Sequence, residues 1–105
     1  MLVVLTTTSN SEEAENLAQK IVAAKLAACV QILPQMKSFY FWEGKMQQDA
    51  EHLLLIKTLE EKFPELETFI KENHSYEFPE IVALSAEKVS ENYLDWMRNY
   101  VITDN

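Results

Sequence analysis

A chain of 105 residues with 48% apolar content is enough for one hydrophobic core, so residues 1–105 are expected to form a single domain. Seventeen Asp and Glu against nine Lys and Arg leave a net charge of -8, which repels nucleic acid and anionic membranes, and neither is an expected partner. One glycine, three prolines and a single cysteine exclude a flexible linker, a collagen-like repeat, an internal disulfide and a cysteine-cluster zinc module, and the lone Cys29 suits a reducing compartment.

The apolar run Leu2–Leu5 is too short for a membrane span and has no basic residues before it. It predicts a first strand, with the cytoplasm as the expected location. Thr8-Ser9-Asn10-Ser11-Glu12-Glu13 then offers capping side chains followed by acids, which predicts a helix from about Ser11. Ala14, Leu17, Ala18, Ile21, Val22 and Leu26 recur at spacings of three and four, so that helix should present one apolar face and end near Lys25 to Ala27. The run Ala28 to Leu33 is short, contains β-branched residues and stops at Pro34, as a strand would. Met36–Trp42 and Met46–Thr58 flank the only glycine, Gly44, and predict a long hairpin turning there.

Thr58 with Glu61 suggests a second cap, Pro64 suits a first helical turn, and Leu66, Phe69 and Ile70 supply that helix's apolar face. Glu80–Ser85 follows Pro79 as a last strand, and Ser90 opens a C-terminal helix through Tyr93, Leu94, Met97 and Tyr100. The order β-α-β, β-α-β, helix is that of an α+β, ferredoxin-like split βαβ sandwich: βαββαβ plus a C-terminal helix. One four-stranded sheet with helices on one face is expected.

The hairpin carries Phe39-Tyr40-Phe41-Trp42, and strand alternation turns Phe39 and Phe41 to one face and Tyr40 and Trp42 to the other. A sheet covered by helices on one side has use for only one apolar face. Either the hairpin curls back on its own chain or the aromatics meet another copy, and a symmetric homo-oligomer with these four residues at its interface is the expectation.

Little in the chain points to catalysis, and no enzyme is expected. His52 falls inside a strand, no G-x-S-x-G elbow is present, and one glycine cannot build a phosphate-binding loop. The only arginine, Arg98, lies in the last helix, which removes an acylphosphatase-like reading of the fold. His74, Glu77 and Glu80 form the remaining cluster, with imidazole and two carboxylates able to approach a divalent ion. The plainer alternative is that His74 ends a helix and the acids are solvated. Lys57 and Lys45, with Tyr76, are candidates for lining an inter-subunit pocket that takes an anion; a solvated edge lysine is the alternative.

Leu26-Ala27-Ala28-Cys29-Val30, Ser38 with Tyr40, Trp42-Glu43-Gly44-Lys45, Leu55-Ile56-Lys57-Thr58, the His74–Glu80 loop and Tyr93-Leu94-Asp95-Trp96 occur in an order and spacing that resemble the CutA divalent-cation-tolerance family over nearly the whole chain. The resemblance implies a ferredoxin-like subunit in a tight homotrimer, tied to tolerance of copper and other divalent metals, with no established reaction and no required cofactor. Copper or another divalent cation is the ligand it implies. A trimeric small-molecule sensor, or a scaffold with no direct metal site, is the alternative. The family's usual His-Pro-Tyr loop reads His74-Ser75-Tyr76 here. The positions of a cysteine and a second histidine linked to copper in some members hold Thr6 and Asn73, a harder donor set.

Overall fold

A computed structural model describes residues 1–102, so the last three residues of the expected 1–105 domain lie outside the described residues. Strand β1 is Leu2–Thr8, and helix α1 is Ser11–Ala23. Asn10 caps α1, its side-chain oxygen accepting from the Glu13 N–H at 2.8 Å. The helix stops four residues short of its expected limit at Ala27. Lys25 adopts φ 59°, and the Lys25 and Leu26 N–H groups return to the carbonyls of Val22 and Ile21, a Schellman closure without the usual glycine.

Strands β2, Cys29–Ile32, and β3, Met36–Trp42, both pair antiparallel with the long strand β4, Lys45–Thr58. Ile32 pairs with Leu54 but Met36 with Glu51, so Leu33, Pro34 and Gln35 stand against only Leu53 and His52. That extra residue is a β-bulge at a proline, which has no N–H to give to the ladder. It corrects the expected four strands to a five-stranded sheet, ordered β2-β4-β1-β5 with β3 also on β4. A one-residue slip also exchanges faces, so Ser38, Tyr40 and Trp42 lie on the side of the sheet opposite Val30 and Ile32.

The expected cap at Thr58 is a second correction. Its hydroxyl is buried and donates to the Leu26 carbonyl at 2.7 Å, tying the end of β4 to the turn after α1. A single 3₁₀ turn, Glu60–Lys62, then leads into helix α2, Phe63–Asn73, with Pro64 in its first turn as expected. Strand β5, Val82–Ser85, joins β1, and helix α3, Glu91–Ile102, ends the described chain.

Ala14, Leu17 and Ile21 of α1 and Leu66 and Ile70 of α2 pack on Leu2, Val4, Leu54 and Ile56 of the sheet. A smaller cluster joins Met97 and Val101 of α3 to Ala28 and Leu59. The opposite sheet face has no such helical cover. Val3 pairs with Leu84 and Leu5 with Val82 there, and Val82 and Leu84 remain about half exposed. The far end of the β3–β4 hairpin projects beyond the helices, which stretches the molecule to 45 × 27 × 23 Å and its radius of gyration to 14.5 Å, against about 13 Å for a compact chain of this length. No helix among the described residues is long and apolar enough to cross a membrane.

Candidate functional site

The two-residue turn at Glu43 and Gly44, both at positive φ, sets the hairpin register and places Trp42 opposite Lys45. From that register Ser38 faces Asp49 and Met36 faces Glu51, so two carboxylates of β4 share a face with Tyr40 and Trp42. The segment after α2 folds over the same face. Phe78 meets Trp42 with ring centroids 5.9 Å apart at 57°, and the Tyr76 hydroxyl donates to Glu51 at 2.8 Å. Between hairpin and loop lies a cleft of about 590 Å³, to which Glu77 and Glu80 add two further carboxylates.

His74 holds that loop in place. Its Nε2–H donates to the Thr7 carbonyl of β1 at 2.6 Å, and its Nδ1 accepts from the Tyr76 N–H at 3.0 Å. The side chain is wholly buried, with a Glu13 oxygen 3.7 Å from Nδ1. Glu13 also accepts from the Ser75 N–H at 2.9 Å and the Ser75 hydroxyl at 3.0 Å. A proline at position 75 has neither donor, so the serine replaces stiffness with two hydrogen bonds to a helix.

Phenol chemistry in the cleft follows from its acids. Burial, and then the Glu51 hydrogen bond and charge, hold the Tyr76 phenol far above its ordinary range. The exposed Tyr40 hydroxyl donates to Asp49, and that bond raises its phenol in the same direction. Both hydroxyls therefore stay protonated donors through the neutral range.

The expected ligand set His74, Glu77 and Glu80 is not assembled. Both imidazole nitrogens are spent on backbone partners, so no lone pair faces a metal, while Glu77 and Glu80 are exposed on the cleft rim. No three His, Cys, Asp or Glu side chains among the described residues come together as a metal cluster. His74 does follow the last helical residue, yet its ring reaches β1 and not the carbonyls of α2. Thr6 and Asn73 offer nothing in exchange. The Thr6 hydroxyl is fully buried without a hydrogen-bond partner, and the Asn73 amide donates back to the Phe69 carbonyl.

Nor do Lys57, Lys45 and Tyr76 meet within one chain. Lys45 and Lys57 stand twelve residues apart on β4, about 40 Å along a strand. Lys57 lies over the Tyr93 ring at 5.8 Å, and Tyr76 is committed to Glu51. Phe39, Tyr40, Phe41 and Trp42 all lie on the hairpin with large exposed areas, Phe41 being 73% exposed. Sequence reasoning passed over Asp49, Glu51 and Glu13. The first two were legible from the Glu43-Gly44 turn, whose length sets which residues face Ser38 and Met36; Glu13 carries no such local signal.

Residues 2–100 match the family model described as CutA1 divalent ion tolerance protein. The chain belongs to the CutA1 family. A chloroplastic CutA 1 from Oryza sativa is 46% identical over 98 residues, 93% of this chain and 55% of that protein. This chain thus spans about half the length of its plant relatives. A solved CutA1 structure from Thermus thermophilus superposes with a TM-score of 0.92 at 44% identity, covering 95% of this chain and 98% of the other. The structure of a periplasmic divalent cation tolerance protein CutA from Archaeoglobus fulgidus gives 0.93 at 39% identity, covering 96% and 99%. The ferredoxin-like subunit expected from the residues is therefore the CutA1 fold.

Proposed function

We propose that this chain serves divalent-cation tolerance as a homotrimer that closes over the uncovered sheet face and the aromatic hairpin. Family membership across residues 2–100 carries the tolerance role. Self-association is supported by the half-exposed Val82 and Leu84 on the uncovered sheet face and by Phe39, Phe41 and Met46 on the hairpin, an apolar surface larger than one chain hides. Three is the number the family resemblance implies. Another copy of the chain is the proposed partner, and the -8 charge argues against nucleic acid and anionic membranes. A cytoplasmic setting is part of the reading, supported by the unpaired Cys29.

The sealed His74 ring argues against a copper centre built on it, and no step is routed through such a centre. The same burial deprives the site of a free imidazole base, so we assign no catalytic reaction. This favours the second reading, in which the trimer senses a small molecule or organises another protein and affects metal tolerance indirectly. Light-scattering mass of the purified chain, followed by copper titration of the wild type and His74→Gln, tests both parts. A trimer whose copper isotherm is unchanged by the substitution fits the proposal. A monomer, or copper binding that His74→Gln abolishes in a folded protein, contradicts it.

A further inference from the structure

We propose that His74 is a proton-operated latch: taking up a proton at Nδ1, it exchanges the Tyr76 N–H for Glu13 and loosens the hold of residues 75–80 on the hairpin. This role is separate from the tolerance reading and survives its failure. The imidazole is wholly buried and its partners belong to its own chain, so the exchange does not depend on which outer surfaces the trimer closes over. Its two hydrogen bonds fix the tautomer. Nδ1 accepts from the Tyr76 N–H at 3.0 Å, so its lone pair is in use, and the ring proton sits on Nε2, donating to the Thr7 carbonyl at 2.6 Å.

Histidines ordinarily change charge between about pH 5 and 8, and the charged ring donates from both nitrogens. A hydrogen added to Nδ1 lies along its single in-plane direction and meets the hydrogen of Tyr76, so the two donors cannot share it. An acceptor stands beside them. A Glu13 carboxylate oxygen is 3.7 Å from Nδ1, one short movement from a charge-assisted bond. Ser75 keeps that carboxylate at the ring through its N–H at 2.9 Å and its hydroxyl at 3.0 Å, a tether that a proline at this position lacks.

The surroundings supply countercharge. Helix α1 brings Glu13 to the ring, with Glu12 and Lys20 further along the same hollow, and α2 brings Glu72. The Tyr76 ring lies 4.8 Å from the imidazole, with Glu51 of β4 behind it, while β1 carries no ionisable side chain. Four carboxylates against one lysine compensate a buried positive ring. What the exchange gives up is the seat of the Tyr76 amide. The Tyr76 hydroxyl binds Glu51 and Phe78 rests on Trp42, so a displaced amide slackens both contacts with the hairpin.

Nitrogen-15 NMR and fluorescence of the full chain between about pH 8 and 5 test the latch, in a His52→Gln, Trp96→Phe background that leaves His74 the only imidazole and Trp42 the only tryptophan. On acidification the ring should pass from the Nε2–H tautomer to the doubly protonated form. Over the same interval the Tyr76 amide should lose at least about tenfold in protection against hydrogen exchange, corrected for the intrinsic pH dependence, and the Trp42 emission should change. His74→Gln should abolish the amide and emission changes. Glu13→Gln keeps an acceptor for Ser75 but removes the charge, so it should move all three changes together to lower pH, and it carries the test should His74→Gln fail to fold. A ring that stays neutral to pH 5, a Tyr76 amide equally protected at both ends of the range, the same changes in His74→Gln, or an unmoved transition in Glu13→Gln would overturn the proposal.

Discussion

Strand β4 is one continuous ribbon that lives in two environments. Its second half places Leu54 and Ile56 at 0% exposure beneath two helices, whereas Met46 near its start is 77% exposed. Its second half is paired on both edges, with β1 and β2, whereas its first half is paired with β3 alone. Side-chain burial differs in the same direction, and burial supplies most of the stability of a sheet. The body of the molecule stands on its own core; the hairpin relies on its ladder, on Trp42 against Phe78 and, in the proposed trimer, on neighbouring copies.

The largest effect should come from the body. Ile56→Ala should cost about 2–5 kcal/mol, whereas Met46→Ala should leave the urea midpoint of the isolated subunit within about 0.5 kcal/mol; equal losses at the two sites would erase the contrast. Next is the loop that joins the regions. His74→Ala orphans the Thr7 carbonyl and the Tyr76 N–H, and should cost about 2–4 kcal/mol in urea unfolding with no metal present. A metal-free midpoint matching the wild type would return His74 to the role of a ligand.

Tyr76→Phe removes the donor to a buried carboxylate and should cost about 1–3 kcal/mol near neutral pH. Because the folded phenol titrates above its unfolded value near 10, its stabilising contribution is complete below about pH 10 and is lost as pH rises through the folded value. Urea midpoints at rising alkaline pH should therefore fall more steeply for the wild type than for Tyr76→Phe. Gly44→Ala tests the hairpin turn alone. A Cβ there meets nothing within 4 Å, so the cost of about 1 kcal/mol comes from the positive φ and not from a clash. The smallest change has the opposite sign: Thr6→Val removes a buried hydroxyl without a partner and should raise the melting temperature, by about 1 kcal/mol of stability.

Helix α1, the hairpin and the order of elements were legible in the sequence, because each rests on local signals. Asn10 precedes the acids of the first turn, the apolar residues of α1 recur at helical spacing, and Glu43-Gly44 supplies the left-handed pair that a tight turn requires. Thr58 misled for the same local reason: it has the look of a cap, but a carbonyl 32 residues away claimed its hydroxyl. The bulge at Pro34 was half legible. The proline marked a break in pairing, while the change of faces it causes appears only once both neighbours are laid against β4.

The candidate site divides along the same line. By itself the sequence determined the elements, the exposed aromatic hairpin and the acidic charge, since these depend on residues within a turn or two of one another and on composition. Only the tertiary structure decided that His74 is sealed against β1, 67 residues away, and that Tyr76 is spent on Glu51, 25 residues away. A histidine beside two glutamates reads as a metal site along the chain. Whether its nitrogens are free depends on which distant backbone groups burial leaves in need of a partner, and short-range spacing carries no record of that.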